Sequence, residues 1–227
     1  MLTVGFLWYI AFLFSTVCHE GAHALAGKLG GDPTAFEAGQ VSLNPMPHIR
    51  REPFGLVLVP ILTYVLNGWM MGWASAPYDP HWQQRHPRRA AWMALAGPAA
   101  NCTLMLLAAA GIRVGLRMGA FQIPERLGLE SLVEATNPEN LGFLATLISI
   151  FFSLNLILFT FNLLPVPPLD GSTGIGIFLP EETAARMMNF YLSSGFSFAG
   201  ILVAWIAYKY VFQWVAPRAV HLLFLGA

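Results

Sequence analysis

His19, Glu20 and His23 stand in the order His-Glu-x-x-His inside the stretch STVCHEGAHALAG, residues 15–27. On a helix, positions i and i+4 share a face, so His19 and His23 present two imidazoles to one metal ion. Glu20, beside the first imidazole, is placed to act as general base on a water held at that ion. Zinc suits this donor set: it is redox-inert, accepts imidazole and carboxylate, and keeps one position open in catalytic sites. The chemistry that follows is hydrolysis, with water activated near neutral pH. The setting is unusual for it, because the preceding residues 1–14, MLTVGFLWYIAFLF, carry no charge.

A catalytic zinc takes a third protein ligand. Outside the motif the candidates are Asp32, Glu37, His48, Asp79, His81, His86 and Asp170, and all but Asp170 lie in polar loops. Asp170 belongs to FNLLPVPPLDGSTGIG (161–176), where three prolines precede it and Gly171 follows. Backbone that leaves the helix at membrane depth is tolerated where protein buries it or water lines it, as in the wall of an active site. Asp170 is therefore the expected third ligand; its alternative role is to cap the helix that follows.

These residues need elements to position them. The chain has 227 residues, of which 56% are hydrophobic and 11% charged, and its mean hydropathy is +0.58. Soluble domains carry about 25% charged residues, so the composition is that of a membrane protein. A net charge of zero argues against a nucleic-acid partner. Cys18 and Cys102 are far apart and make no disulfide framework; Cys18 reads as packing. The N-terminal run lacks a basic start and a small-residue cleavage site, so it reads as a retained span.

Charge-free windows near the roughly 20 residues of a spanning helix cover 1–18, 53–76, 90–112, 141–169 and 187–208, and a window at 171–180 is too short. Trp69, Trp73, Trp92, Trp205 and Trp214 sit near window ends, as interfacial anchors do. The loop 113–140 is expected to hold a short surface helix. Of the 24 charged residues, Glu20 and Asp170 are embedded in apolar context. An ionisable group at the centre of a spanning helix costs at least about 2.5 kcal/mol, which marks a functional site. The expected fold is an all-α polytopic membrane protein with about five to six transmembrane helices, a short β-hairpin and a re-entrant or broken segment at the site. Residues 1–227 read as one integral-membrane domain, with the metal helix at 2–28 and the third-ligand segment at 162–180.

At this point the residues resemble a known family, the site-2 proteases, intramembrane zinc metalloproteases. HEGAH (19–23) resembles the family's metal helix, NLLPVPPLDG (162–171) its second metal motif, and AGPAAN (96–101) its small-residue Gly-Pro-x-x-Asn motif. GDPTAF, GQVSLNPMPH and GWASAPYDP narrow the likeness to the compact prokaryotic branch. That branch typically reads Gly-Trp-Ala-Lys-Pro where Ser75 stands here, and His-x-Asp-Pro where this chain has HIRREP (48–53). The resemblance implies one zinc per chain on His19, His23 and Asp170, with Glu20 as the base. It also implies that Asn162, eight residues before Asp170, helps position the substrate backbone. Asn101 either shares that work or packs helices. The stretch TAFEAGQVSL (34–43) is expected as the family's hairpin or as a surface turn; a hairpin edge there is open to strand addition by an unwound substrate. His48 is either an entrance residue or a solvated loop histidine.

The expected function is intramembrane zinc endopeptidase, cutting transmembrane protein substrates within the lipid bilayer, in regulated proteolysis. The expected location is a prokaryotic cytoplasmic membrane. If spans alternate, Lys28, Arg50, Arg51, Arg113, Arg117 and Arg126 share the cytosolic side, near the site, and Arg85, Arg88 and Arg89 face away. The alternative reading is a non-enzymatic metal-binding or metal-transport protein. Three ligands plus a base, rather than a closed set of four, favour the enzyme.

Overall fold

The structure is a computed structural model and describes residues 2–193 and 197–226. Helix α1 (Leu2–Gly30) has 29 residues, about 44 Å at 1.5 Å per residue, more than the roughly 30 Å of a bilayer's hydrocarbon core. It stops where Gly31 turns left-handed at φ 98°, a conformation glycine adopts at little cost. The Asp32 N–H closes that turn on the Gly27 carbonyl at 2.8 Å.

Two short helices follow, α2 (Thr34–Glu37) and α3 (Pro45–Arg51). The Asn44 side chain caps α3 by accepting from the Met46 N–H, with Pro45 in the first turn. Of the two readings of 34–43, hairpin or surface turn, the second holds, and helical turns occupy the stretch. Asp32 Oδ1 accepts from the Thr34 N–H and hydroxyl, which starts a turn after Pro33, and Gly39 at φ 72° ends it. The strand pair lies elsewhere: β1 (Phe121–Gln122) runs antiparallel to β2 (Glu134–Ala135). This replaces the surface helix expected in 113–140. Phe121, Leu132, Val133 and Ala135 are buried there in one apolar cluster, with a spacing that suits short extended pieces rather than one helical face.

Pro53 leads into a π-helical turn (Phe54–Leu58) that continues as α4 (Val59–Asn67). Together Phe54–Asn67 cover about 21 Å, short of a full span. Gly68, left-handed at φ 77°, caps α4 through its N–H to the Tyr64 carbonyl, so the span expected over 53–76 is cut short. Residues 70–79 then run without regular secondary structure up to α5 (Pro80–Arg85). Next come α6 (Pro87–Arg117), α7 (Pro138–Asn162), α8 (Asp170–Gly174) with a 3-10 turn at Ile175–Phe178, α9 (Glu181–Ser193) and α10 (Ser197–Phe224). Among the described residues four helices are long and apolar enough to cross a membrane: α1, α6, α7 and, over Ala199–Phe224, α10. That is fewer than the five to six expected, and the last overlaps only the end of the expected window 187–208 and runs on to Phe224.

Helix α6 packs against both α1 and α7, and α1 also touches α7. Trp8 and Phe12 of α1 meet Ile150 and Leu154 of α7 with Leu56 beside them, while Ala108 and Ile112 of α6 meet Phe152 and Leu156. The apolar window of α1 is 50% buried and that of α10 17%, so α1 is the centre of the fold and α10 its flank. Phe6, Leu106, Leu107 and Ile206 are exposed, an apolar coat suited to lipid.

Arg89, at the start of α6, donates to the Gly30 carbonyl at the end of α1. The two helices are therefore antiparallel, and Arg85, Arg88 and Arg89 share the side of Lys28, Arg50 and Arg51, not the opposite side. The expected alternation did not hold, and α4, which it counted as a crossing, is shorter than a spanning helix. Arg113 reaches the carbonyls of Leu222 and Leu225 at the far end of α10, which marks the other side.

Candidate active site

The α1 spacing places the His19 and His23 rings side by side, with Nε2 atoms 3.0 Å apart. Asp170 arrives from the opposite end of the chain. Helix α7 stops at Asn162, and the proline-rich turn 163–169 folds α8 back beneath it. Gly171 is needed there, because a Cβ would collide with the Leu163 and Leu164 carbonyls. Asp170 Oδ2 then lies 3.1 Å from His19 Nε2, and Oδ1 lies 3.3 Å from His23 Nε2. At Gly97, helix α6 passes against the Nε2 edges of the two rings. A Cβ there would strike both Nε2 atoms, so this glycine is what allows the close approach.

The far nitrogen of each ring decides where its proton sits. His19 Nδ1 is 2.5 Å from Asn101 Oδ1, and His23 Nδ1 is 2.7 Å from the Met93 carbonyl. Each Nδ1 therefore donates, and each Nε2 turns a lone pair toward Asp170. Two Nε2 atoms 3.0 Å apart cannot both carry a proton. Asp170 Oδ2 is buried with no hydrogen-bond donor. Lone pairs of three residues thus converge with too few protons among them, an arrangement a cation resolves. The two Nε2 atoms are 3.0 Å apart and approach different oxygens of Asp170, Oδ2 at 3.1 Å and Oδ1 at 3.3 Å, each close to the edge, about 3.3 Å, of a tetrahedron with ligand bonds of about 2.0 Å. These three residues are the metal-capable group among the described residues; of the candidates for a third ligand, the structure brings Asp170 alone to the histidines.

In front of the triad lies a cavity of about 210 Å³, lined in part by Glu20, His23, Asp170 and Thr173. Glu20 is buried at 5% exposure and forms its inner wall. The outer wall is the irregular segment 74–78, fastened at both ends. At one end the Ser75 hydroxyl donates to Glu52 Oε1 at 2.6 Å, while Arg51 Nε donates to the Ser75 carbonyl at 2.9 Å. At the other, the Asp79 N–H donates to Asp32 Oδ2 at 2.8 Å. The two places where the chain departs from the branch's pattern, Ser75 and HIRREP, therefore touch each other. Burial pushes the Asp32 carboxyl up, but hydrogen bonds from Thr34 and Asp79 outweigh it and hold it below the usual carboxylate range.

The amides fall in different places. Asn101 is fully buried behind His19, and its Nδ2 donates to the Ser15 carbonyl and to Asn155 Oδ1. Asn162, the last residue of α7, donates to the Leu158 carbonyl and is not among the residues lining the cavity. His48 is buried, with Nε2 on the Ser42 carbonyl, rather than solvated. Sequence reasoning missed Asn155, Gly97 and the Met93 carbonyl. A signal existed for Asn155, a lone amide in the apolar run of α7.

The sequence profile described as peptidase family M50 matches residues 7–206. YwhC of Bacillus subtilis (strain 168), named as a candidate zinc metalloprotease, is 32% identical over 179 residues, which are 78% of this chain and 71% of that protein. Rip2 of Mycolicibacterium smegmatis (strain ATCC 700084 / mc(2)155), named in the same way, is 29% identical over 172 residues, 76% of this chain and 57% of that protein. No solved structure matches the chain. The chain belongs to peptidase family M50, the site-2 proteases, and its apolar helices are those of an integral membrane protein.

Proposed function

We propose that the chain is an intramembrane zinc endopeptidase that hydrolyses peptide bonds of membrane-spanning proteins. One observation carries the reading: His19, His23 and Asp170 each bring a ligand atom to one place, within 4.8 Å of one another, beside the Glu20 carboxylate at a cavity. His19, His23 and Asp170 hold one zinc. When bound, zinc supplies a Lewis acid for the scissile carbonyl and lowers the pKa of water to about 7. Glu20 takes the proton of the attacking water on its carboxylate and returns it to the leaving amine. A helical substrate unwinds first, because its carbonyls are otherwise taken by helix hydrogen bonds. The buried ligands and short cavity fit a chain that enters extended.

The charge distribution supports a cytosolic opening. Lys28, Arg50, Arg51, Arg85, Arg88, Arg89 and Arg186 lie on the site's side, the last through α9, which the Arg88–Glu181 pair joins to α6. Arg113, Arg117, Arg126 and Arg218 lie on the other, and basic residues concentrate on the cytoplasmic side.

Purified wild type and Glu20→Gln, assayed for bound zinc and for cleavage of single-span substrates, test the reading. Zinc in both with cleavage only in wild type supports it. Metal flux across vesicles that survives Glu20→Gln would mean a transporter instead.

A further inference from the structure

The amide network behind His19 runs one residue further than a ligand's own partner, to Asn155 in the middle of α7. Asn155 and Asn101 are both at 0% exposure, and neither lines the cavity. We infer that Asn155 is a positioning residue of the metal centre, fixing the amide of Asn101 and, through it, the proton on His19. The inference rests on reading His19 as a metal ligand.

The orientations follow from two groups that can only accept. The Phe151 carbonyl lies 2.9 Å from Asn155 Nδ2, so that end of the amide is the donor. Asn155 Oδ1 therefore faces Asn101, whose Nδ2 donates to it at 2.8 Å and to the second fixed acceptor, the Ser15 carbonyl, at 3.3 Å. This leaves Asn101 Oδ1 facing His19 Nδ1 at 2.5 Å. An oxygen there demands an N–H on Nδ1 and leaves the Nε2 lone pair free for a metal. Asn155 also donates to Ser15 Oγ at 2.9 Å, one helical turn before His19, which closes the network on the ligand helix.

Without Asn155, the long Ser15 contact is the remaining hold on the Asn101 amide. The flipped amide then presents its NH2 group to His19, which favours the tautomer with the proton on Nε2, where a metal has to bind. Asn155→Leu keeps the branched shape, with a larger volume, and removes both ends of the link.

The test is the zinc dissociation constant of detergent-purified wild type and Asn155→Leu by chelator competition. It is paired with ¹⁵N NMR of the metal-free, histidine-labelled proteins, which reads each ring's tautomer. Zinc affinity is expected to fall roughly tenfold or more, with His19 leaving the Nδ1–H form and His23 unchanged. Wild-type affinity with His19 still in the Nδ1–H form would overturn the proposal. So would a lower thermal midpoint with unchanged affinity, which assigns Asn155 to helix packing. Zinc retained by His19→Ala at wild-type affinity overturns the ligand reading, and this proposal with it. Should Asn155→Leu not fold, Asn155→Ser makes the same test, since its hydroxyl still reaches a carbonyl of its own helix but not Asn101.

Discussion

Behind the ligands the polar groups are sealed, whereas in front of them they face a cavity. Ser15, Asn101 and Asn155 have no exposed surface and bond to one another and to backbone carbonyls. Glu52, Ser75 and Asp79 belong to loops that reach the surface, and they fasten an irregular segment across the opening. The rear set has one arrangement, because the Phe151 and Ser15 carbonyls, which can only accept, fix both amides. The front set can be released one hydrogen bond at a time. The function proposed above uses both: rigid proton placement at His19, and a wall held by separable hydrogen bonds.

Substitutions can break this contrast, and their effects should fall in order. Asp170→Ala removes one of three ligands; bound zinc, measured by elemental analysis, should drop to background and cleavage with it. Zinc retained at wild-type stoichiometry would place the third ligand elsewhere. Asn101→Leu leaves the ligands but takes away the acceptor of His19, and should weaken zinc by about 10–100-fold in the same chelator competition. Equal affinity would mean that the rear network is packing alone.

At the front, effects should appear in stability and substrate binding instead. The low Asp32 pKa gives a stabilisation that is complete above the roughly 3.9 of an unfolded aspartate and is lost as pH falls through the folded value. Thermal unfolding in detergent should show this acid limb in wild type. Asp32→Asn should be less stable at neutral pH by about 1.5–3 kcal/mol, the worth of a hydrogen bond to a charged group, and should lack the limb. Ser75→Ala should be the mildest, costing about 1 kcal/mol or less and raising KM with little change in kcat. A fall in kcat at constant KM would move Ser75 from the wall to the chemistry.

The candidate site stood out in the sequence because its chemistry conflicts with its surroundings. His19, Glu20, His23 and Asp170 interrupt apolar sequence that otherwise has no use for them. The helical spacing of the first three is local, and prolines announce the break before Asp170. The hairpin and the span over 53–76 misled for the opposite reason. Partial alternation at 34–43 is weak beside the Asp32 side chain bonding to Thr34, and an apolar run does not reveal that Gly68 will stop its helix. Nor does sequence show which way an amide faces. Asn101 could be singled out, but its part behind His19 depends on Ser15 and Asn155, distant in the chain and adjacent only after folding.

The rear network also bears on how the protein is made. Helices α1, α6 and α7 enter the bilayer as separate segments, and in each the polar groups of Ser15, Asn101 or Asn155 wait without their partners. Their hydrogen bonds form only when all three helices have met, and a slip of one turn, about 5.4 Å, breaks them together. The network thus ties helix register to the candidate site: a bundle packed out of register leaves these amides unpaired in an apolar interior and takes Asn101 away from His19.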